Sequence, residues 1–302
     1  MAYISTQFKI TNRETEEFIV INDHDTDPKN LIALQAYPRF EADVRANNLI
    51  NDSGHGTYKR PYYYGARTIS FAGVIVGETE ADVWQIKNKL EAVLEFSQQP
   101  DFDEMLKISF TDPLDRELTI LATLSTSITF NRNLQDTTRL DFQFILRAGR
   151  PYLFIGDIDA PPTQVEDGIM GTISEGILLP LMLPFVTSQQ ATNIMTLTAE
   201  AKGVACVTLR GSALGKITFP TITNLTTGER IRVFTTIKNE NEFVRINCAT
   251  GQIFNQDGKN LNSMVVEGDV INLVVGDNEL VYTAEQLREG AEFSVGIRSF
   301  II

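Results

Sequence analysis

Apolar and polar residues alternate with a period of two along much of the first half of the chain. The clearest runs place an apolar or small side chain at every second position, at Ile69 to Ile75, Leu118 to Leu124 and Leu140 to Leu146. Shorter candidates cover residues 7–10, 17–22 and 106–110. Because successive side chains of a strand point to opposite faces, this period predicts half-buried β-strands.

One segment of the first half has helical spacing instead. Thr79 to Asp82 resembles a capping box, and five apolar residues then recur three or four positions apart, namely Val83, Ile86, Leu90, Val93 and Leu94. Pro100 follows as a stop signal. The pattern predicts one amphipathic helix over about residues 80–97.

Periodicity fails between Asn22 and Tyr64, where Asn, Asp, Gly and Tyr are frequent. We interpret this stretch as long loops. Loops of this length in a compact domain usually have a function, and in an assembly protein that function is often contact with a neighbour.

The second half consists of short alternating runs separated by turn signals. Residues 149–176 are rich in Pro, Gly and Asp and are the best candidate for a linker. After it, runs at 204–208, 231–237, 244–248 and 293–297 alternate, and 270–275 is predicted to be a buried run. Strands and turns at this rate, without a clear helix, indicate a β-sandwich. We therefore expect a mainly β protein with domains at 1–154 and 177–302, joined by a linker at 155–176.

Composition narrows the possible functions. The chain has 302 residues, of which 43% are hydrophobic and 22% charged, as in ordinary globular proteins. The net charge of -13 argues against nucleic acid as a bound ligand, because affinity for phosphate comes from Lys and Arg. We find no signal peptide at residues 1–10, and the most apolar stretch, 177–186, is too short for a membrane helix.

Catalytic and metal-binding patterns are weak. His24 and His55 are the only histidines, and the serine at 53 lies too near His55 along a loop to form a typical pair. Cys206 and Cys248 are expected to be reduced core residues. We therefore predict no catalytic, cofactor-binding or metal-binding residues, no cofactor, and no enzymatic activity.

An acidic run matches only the first ligand positions of an EF-hand calcium-binding loop. Asp23, Asp25 and Asp27 have suitable spacing, but Pro28 stands where the sharp-turn glycine is needed and Leu34 where the bidentate Glu belongs. This excludes an EF-hand. A solvated acidic loop is the default interpretation, with a weaker ion site left open.

An aromatic cluster is the best candidate for a contact surface. Tyr62, Tyr63 and Tyr64 are consecutive, and Arg67 follows with other basic residues nearby. Tyr and Arg are enriched in protein interfaces, so we predict that these four residues lie close to a subunit interface. Stacking on sugars or bases is the alternative.

The order of these features resembles a known family. Tyr64-Gly-Ala-Arg-Thr-Ile69, the strand into Gly73-Val-Ile-Val-Gly77, the capped helix and Arg147-Ala-Gly-Arg-Pro-Tyr152 resemble the N-terminal domain of the distal tail proteins of long-tailed (siphovirus-type) bacteriophages. Phe219 to Asn224, Thr227-Gly228, Val244 to Asn247 and Gly276 to Leu280 resemble the β-sandwich of the same family. One departure is Asp277, which stands where a glycine often precedes the asparagine.

This resemblance implies a fold, a location and a set of partners. The fold would be an α+β N-terminal domain, with one helix on a β-barrel-like sheet, followed by a galectin- or jelly-roll-like antiparallel β-sandwich. Six copies would form a ring in the tail tip or baseplate, joining the tail tube protein to the hub, fibre or receptor-binding proteins used in host attachment. DNA would pass through the ring without specific binding, and the virion would be assembled in the bacterial host cytoplasm without membrane insertion.

Two other functions remain open at this point. A carbohydrate-binding β-sandwich module is the main alternative, since sandwiches of this kind often bind glycans. A glycan-cleaving enzyme is a third interpretation, because Asp and Glu are plentiful and their separation in space is not visible in the sequence.

Overall fold

The computed structural model describes residues 6–23, 31–45, 48–50, 57–59, 63–95, 105–132, 136–162, 164–168, 193–268, 270–285 and 291–301. The chain forms two compact units, Met1–Asp157 with Ile302, and Ile158–Ile301. Strands predominate in both units, which confirms the expected mainly β fold. The exact limits of the domains and linker stay predictions.

Most of the described part of the first unit is β-strand, with one helix. In chain order its elements are β1 (Phe8–Asn12), β2 (Phe18–Ile21), β3 (Leu31–Leu34), β4 (Arg39–Arg45), β5 (Asn48–Ile50), β6 (Thr57–Lys59), β7 (Tyr63–Val76), α1 (Glu80–Leu94), β8 (Leu106–Thr111), β9 (Glu117–Leu124), β10 (Thr129–Arg132), β11 (Arg139–Ala148) and β12 (Leu153–Ile155).

Strands β7 and β11 form the central antiparallel pair of this unit, in register from Val76 opposite Arg139 to Arg67 opposite Ala148. Their apolar side chains alternate into the core as predicted, and the rings of Phe71 and Phe144 stack 5.0 Å apart. Gly73 of β7 has no room for a side chain. A Cβ there would lie 2.3 Å from the carbonyl oxygen of Ala33 on β3 and 2.7 Å from the Phe142 ring.

Helix α1 begins with the predicted capping box. The backbone N–H of Asp82 donates to Thr79 Oγ1 at 3.3 Å, and the N–H of Thr79 donates to Asp82 Oδ2 at 2.9 Å. These bonds satisfy two donors that the first helical turn leaves without partners. Four of the five predicted apolar residues are buried, namely Val83, Leu90, Val93 and Leu94. The helix ends at Leu94, and residues 96–97 of the predicted range lie outside the described residues.

The prediction of long loops between Asn22 and Tyr64 is wrong for much of this stretch. Strands β3 and β4 both pair antiparallel with β7, and β5 pairs with β6. The 14-residue β7 supplies the partner, and pairing with a strand distant in sequence is not visible in local composition.

The second unit, in its described residues, contains short strands and one 3-10 turn. Its elements are β13 (Gln164–Gly168), β14 (Asn193–Ala199), β15 (Gly203–Arg210), β16 (Ile217–Thr218), β17 (Thr221–Asn224), β18 (Arg230–Val233), β19 (Thr236–Ile237), β20 (Phe243–Asn247), β21 (Gln252–Asn255), the 3-10 turn (Asn262–Met264), β22 (Val265–Glu267), β23 (Asn272–Leu273), β24 (Gly276–Thr283) and β25 (Phe293–Ile301).

Two antiparallel sheets organise this unit. One has the order β13, β25, β15, β20, β21, with β23 also paired to β15, and the other has the order β14, β24, β17, β18, β22. Alternate residues are buried, such as Met195, Leu197 and Ala199 on β14. The arrangement is consistent with the predicted antiparallel β-sandwich.

Buried amides link the two sheets. Asn224 of β17 donates to the carbonyl of Asn272 on β23 at 2.9 Å and to Oδ1 of Asn278 at 3.3 Å. Asn278 is fully buried, and its amide group also donates to the carbonyls of Val274 and Gly276 while accepting from the N–H of Val274. Gly276 has a φ of 95°, so the glycine that this turn requires stands one position before Asp277.

Two local predictions need correction. The run 270–275 is not buried throughout, because the chain turns around the Asn278 amide and leaves Val274 and Val275 39% and 61% exposed. The run 231–237 is divided into β18 and β19. Within the segment predicted as a linker, β13 pairs with β25, and the limits of the linker stay a prediction.

Candidate interaction surfaces

The predicted interface cluster is only partly described. Tyr62 lies outside the described residues. Tyr63 and Tyr64 belong to the backbone of β7, where they pair with Arg45 and Val44 of β4. Their place at a subunit interface stays a prediction.

Arg67 has a role inside the first unit. The side chain is 5% exposed, with Nε donating to the carbonyl of Pro151 at 3.0 Å and Nη1 to the carbonyl of Phe40 at 3.2 Å. Burial lowers the pKa of the guanidinium, which stays charged at neutral pH because the ordinary pKa of arginine is so high. Arg67 therefore ties β7 to the segment after β11, a role that its position in the sequence did not indicate.

Helix α1 carries an exposed aromatic residue that the sequence analysis did not select. Trp84, the only tryptophan of the chain, is 41% exposed. Its Nε1 donates to Glu80 Oε1 at 3.4 Å, and the same carboxylate accepts from Nη2 of Arg132 on β10 at 2.6 Å. The sequence did contain a signal that Trp84 is exposed, because this residue falls outside the apolar stripe by which the helix packs against the core.

Aromatic rings and lysines lie on both sides of this helix. The Lys87 ammonium lies 4.8 Å from the ring centroid of Phe130 on β10 and 5.4 Å from that of Trp84. Lys89 lies 5.8 Å from the ring of Phe18 on β2, which is 46% exposed. We call the set Phe18, Trp84, Lys87, Phe130 and Arg132 the α1 surface. Tryptophan and arginine are the residue types most enriched at the energetic centres of interfaces.

Strand β10 adds backbone groups to the α1 surface. It pairs with β11, and in the described part of the chain no strand pairs with its other edge. An edge strand presents N–H and C=O groups that a second chain is able to bind. The α1 surface therefore combines exposed aromatic area, charged side chains and an open strand edge.

A second exposed aromatic pair lies in the second unit. The rings of Phe219 and Phe234 stack 4.5 Å apart, and Phe234 is 55% exposed. The guanidinium of Arg232 lies 5.4 Å from the other ring, that of Phe219, and pairs with Glu285 at 2.5 Å. Phe219 has a φ of 53°, an uncommon conformation for an aromatic residue.

The other candidates for chemistry are the histidines, the acidic run and the cysteines. His24 and His55, and with them Asp25 and Asp27 of the acidic run, lie outside the described residues. Cys248 is buried, with its Sγ accepting from the backbone N–H of Ile271 at 3.4 Å, and burial raises the pKa of Cys206, so that its thiolate is less populated at neutral pH. Where side chains are described, no three His, Cys, Asp or Glu residues are grouped so that they hold a metal ion. No described helix is long and apolar enough to cross a membrane.

Comparisons with known proteins give matches in structure alone. No protein-family model and no curated protein sequence matches the chain. The crystal structure of the Dit protein of phage SPP1, described as a paradigm of the hub adsorption apparatus in phages that infect Gram-positive bacteria, is 12% identical. The match covers 98% of this chain and 99% of that chain, with a TM-score of 0.51. A structure of the phage p2 baseplate in its activated conformation with Sr matches at 12% identity, over 96% of this chain and 97% of that chain, with a TM-score of 0.49. The chain therefore has the fold of the SPP1 Dit protein, which confirms the fold expected from the resemblance to distal tail proteins.

Proposed function

We propose that this protein is a non-enzymatic component of the tail tip of a long-tailed bacteriophage, in which six copies form a ring between the tail tube and the host-recognition proteins. The observation that carries the proposal is the match to SPP1 Dit over 98% of one chain and 99% of the other. A match of this extent includes both units of the chain, whereas a shared β-sandwich alone would account for only one.

The α1 surface is the contact that we propose between neighbouring copies. A closed ring uses a heterologous interface, in which one surface of each subunit binds a different surface of the next. The first unit carries the α1 surface, with an exposed tryptophan and an open strand edge beside it. Burying the aromatic area in a neighbour would remove it from water.

The charge of the chain supports a ring through which DNA passes. Six copies with a net charge of -13 each would repel a phosphate backbone instead of binding it. The acidic composition therefore favours a channel over a nucleic-acid binding site.

The mass of the purified protein tests the proposal. Light scattering coupled to size exclusion, over a range of concentrations, is expected to approach about 202 kDa, six times the 33.7 kDa of one chain. Negative-stain electron microscopy of the same fraction should show rings with sixfold symmetry and a central hole. A mass of one chain at every concentration, with no rings on the grid, would contradict a self-assembling ring.

A further inference from the structure

The first unit carries a second exposed apolar surface besides the α1 surface. Among the described residues of this unit, four large apolar or aromatic side chains are exposed, namely Phe18, Tyr37, Trp84 and Leu114. Phe18 and Trp84 belong to the α1 surface. Leu114 is 72% exposed and lies at the tip of the hairpin between β8 and β9, and Tyr37 is 44% exposed. We call the set Tyr37, Leu114 and Asp115 the tip surface.

The turn at the hairpin tip holds Leu114 in a fixed position. Asp112 Oδ1 accepts from the backbone N–H groups of Leu114 and Arg116, both at 2.9 Å. Asp112 Oδ2 accepts from Nε and Nη2 of Arg116 at 2.9 and 2.6 Å. Pro113 and Asp115, which has a left-handed φ of 59°, complete the turn. Because these groups already fix the backbone, little conformational entropy is lost when a partner buries Leu114.

Tyr37 lies at the same end of the unit as the hairpin tip. Its ring lies 5.6 Å from that of Phe8, and the Phe8 ring lies 5.1 Å from that of Phe110, two residues before Asp112. Burial, and then the negative charge of Asp112, raise the pKa of Tyr37, so the carboxylate lies close enough to act on its hydroxyl. The tip surface therefore combines an aliphatic and an aromatic side chain.

The tip surface and the Phe18 side of the α1 surface lie at opposite ends of β1. The antiparallel register places Phe18 beside Thr11. Helix α1 contacts the same end of β1, where the Asn12 amide donates to a carbonyl of the helix at 3.1 Å. At the other end of β1, Phe8 pairs with Phe110, and the hairpin tip follows. Two different surfaces at opposite ends allow copies to bind head to tail, as a closed ring requires.

Charged groups at the two surfaces are complementary. Asp115 and Glu117 are exposed at the hairpin tip. At the α1 surface, the ammonium groups of Lys9 and Lys89 lie 4.3 and 5.8 Å from the ring centroid of Phe18. Within the part of the chain that the structure describes, neither ammonium group pairs with a carboxylate. A carboxylate of a neighbouring copy would complete such a pair and orient the two subunits.

We propose that the tip surface of one copy binds the α1 surface of the next, with Leu114 packed on the exposed aromatic rings and Asp115 facing the lysines beside Phe18. The inference rests on the proposed ring, for which it supplies the second half of each contact. Binding would remove from water two apolar surfaces that a single chain leaves exposed.

Light scattering of the full-length protein over a series of concentrations tests the role of Leu114. The variant Leu114→Ala removes most of an aliphatic side chain from the contact, and the dissociation constant of one contact should rise by about 10-fold or more. Leu214, which is 66% exposed and belongs to the second unit, provides the matched control Leu214→Ala, which should assemble like the wild type. Chemical unfolding verifies that both variants are folded.

Photochemical cross-linking identifies the surface that the tip contacts. A benzophenone amino acid replaces Leu114 in the full-length protein, and after irradiation the product with the mass of two chains is digested and sequenced by mass spectrometry. We expect links from position 114 to residues of the α1 surface, such as Phe18, Trp84 or Phe130. The same amino acid in place of Leu214 should give no link to that surface.

The outcomes separate a failure of this contact from a failure of the ring. A ring whose midpoint of assembly is unchanged in Leu114→Ala, or shifts equally in Leu214→Ala, would overturn the tip contact and leave the ring in place. Links from position 114 only to residues outside the α1 surface would also overturn it. A wild type that keeps the mass of one chain at every concentration would overturn the ring itself, and this contact with it.

Discussion

Replacing Trp84 by alanine should weaken the assembly of the ring without unfolding the subunit. Trp84 is 41% exposed, its Nε1 donates to Glu80 at 3.4 Å, and the Lys87 ammonium lies over its ring. The part of the side chain that is covered within the subunit also contributes to the free energy of unfolding, at about 25 cal/mol per Å², so chemical unfolding of the variant is measured beside its assembly. An effect on assembly would therefore be separable from an effect on folding.

The exposed fraction sets the size of the effect. A tryptophan side chain has up to about 250 Å² to bury, so an exposure of 41% leaves about 100 Å² for a neighbour to cover. At about 25 cal/mol per Å² this area contributes about 2.5 kcal/mol to each contact between subunits. The dissociation constant of one contact should rise by about 60-fold.

Light scattering over a series of concentrations measures this change, since the midpoint of assembly moves to higher concentration. The matched control is Ile194→Ala, which removes a side chain that is 59% exposed and belongs to the second unit, whereas the α1 surface belongs to the first. Trp84→Phe should recover part of the loss because it restores an aromatic ring. An unchanged midpoint in Trp84→Ala, or an equal shift in Ile194→Ala, would refute the assignment of the α1 surface as the ring contact.

Three further predictions concern the stability of the fold, measured by chemical denaturation. Asn278→Ala removes a fully buried amide with four hydrogen bonds and should lower the free energy of unfolding by about 3–5 kcal/mol. The control Asp277→Ala, at the neighbouring exposed position, should lower it by less than about 1 kcal/mol. Similar losses in the two variants would contradict the buried network. Gly73→Ala should cost about 3 kcal/mol, because its Cβ meets a backbone oxygen at 2.3 Å, and a neutral effect would show that β3 does not approach β7 so closely. The hydrogen bond from Arg116 holds the pKa of Asp112 below its ordinary value. The ionised Asp112 therefore stabilises the fold at any pH above the ordinary pKa, and this stabilisation is lost as the pH falls through the lowered pKa of the folded state. The stability difference between the wild type and Asp112→Asn should therefore shrink in strong acid, and a difference that grows there would contradict the pairing.

The local sequence pattern was sufficient to predict a strand or helix wherever one face of that element packs against the core. The period-two runs at Ile69 to Ile75 and Leu140 to Leu146 predicted β7 and β11, because alternation follows directly from strand geometry. The capping box at Thr79 predicted the start of α1 to the residue, since its two hydrogen bonds join positions only three residues apart. The turn at Gly276 was likewise visible, because a positive φ favours glycine.

The tertiary structure alone decided which residues meet over long sequence distances. The place of Arg67 at an interface stays a prediction, but the hydrogen bond from its guanidinium to the carbonyl of Pro151, 84 residues away, was not visible in the sequence. Strands β3 and β4 appeared as loops because their partner β7 lies elsewhere in the chain. Sequence by itself determined those elements whose own residues alternate between the core and solvent, while the pairing of distant segments decided β3 and β4 and placed the residues that form the surfaces.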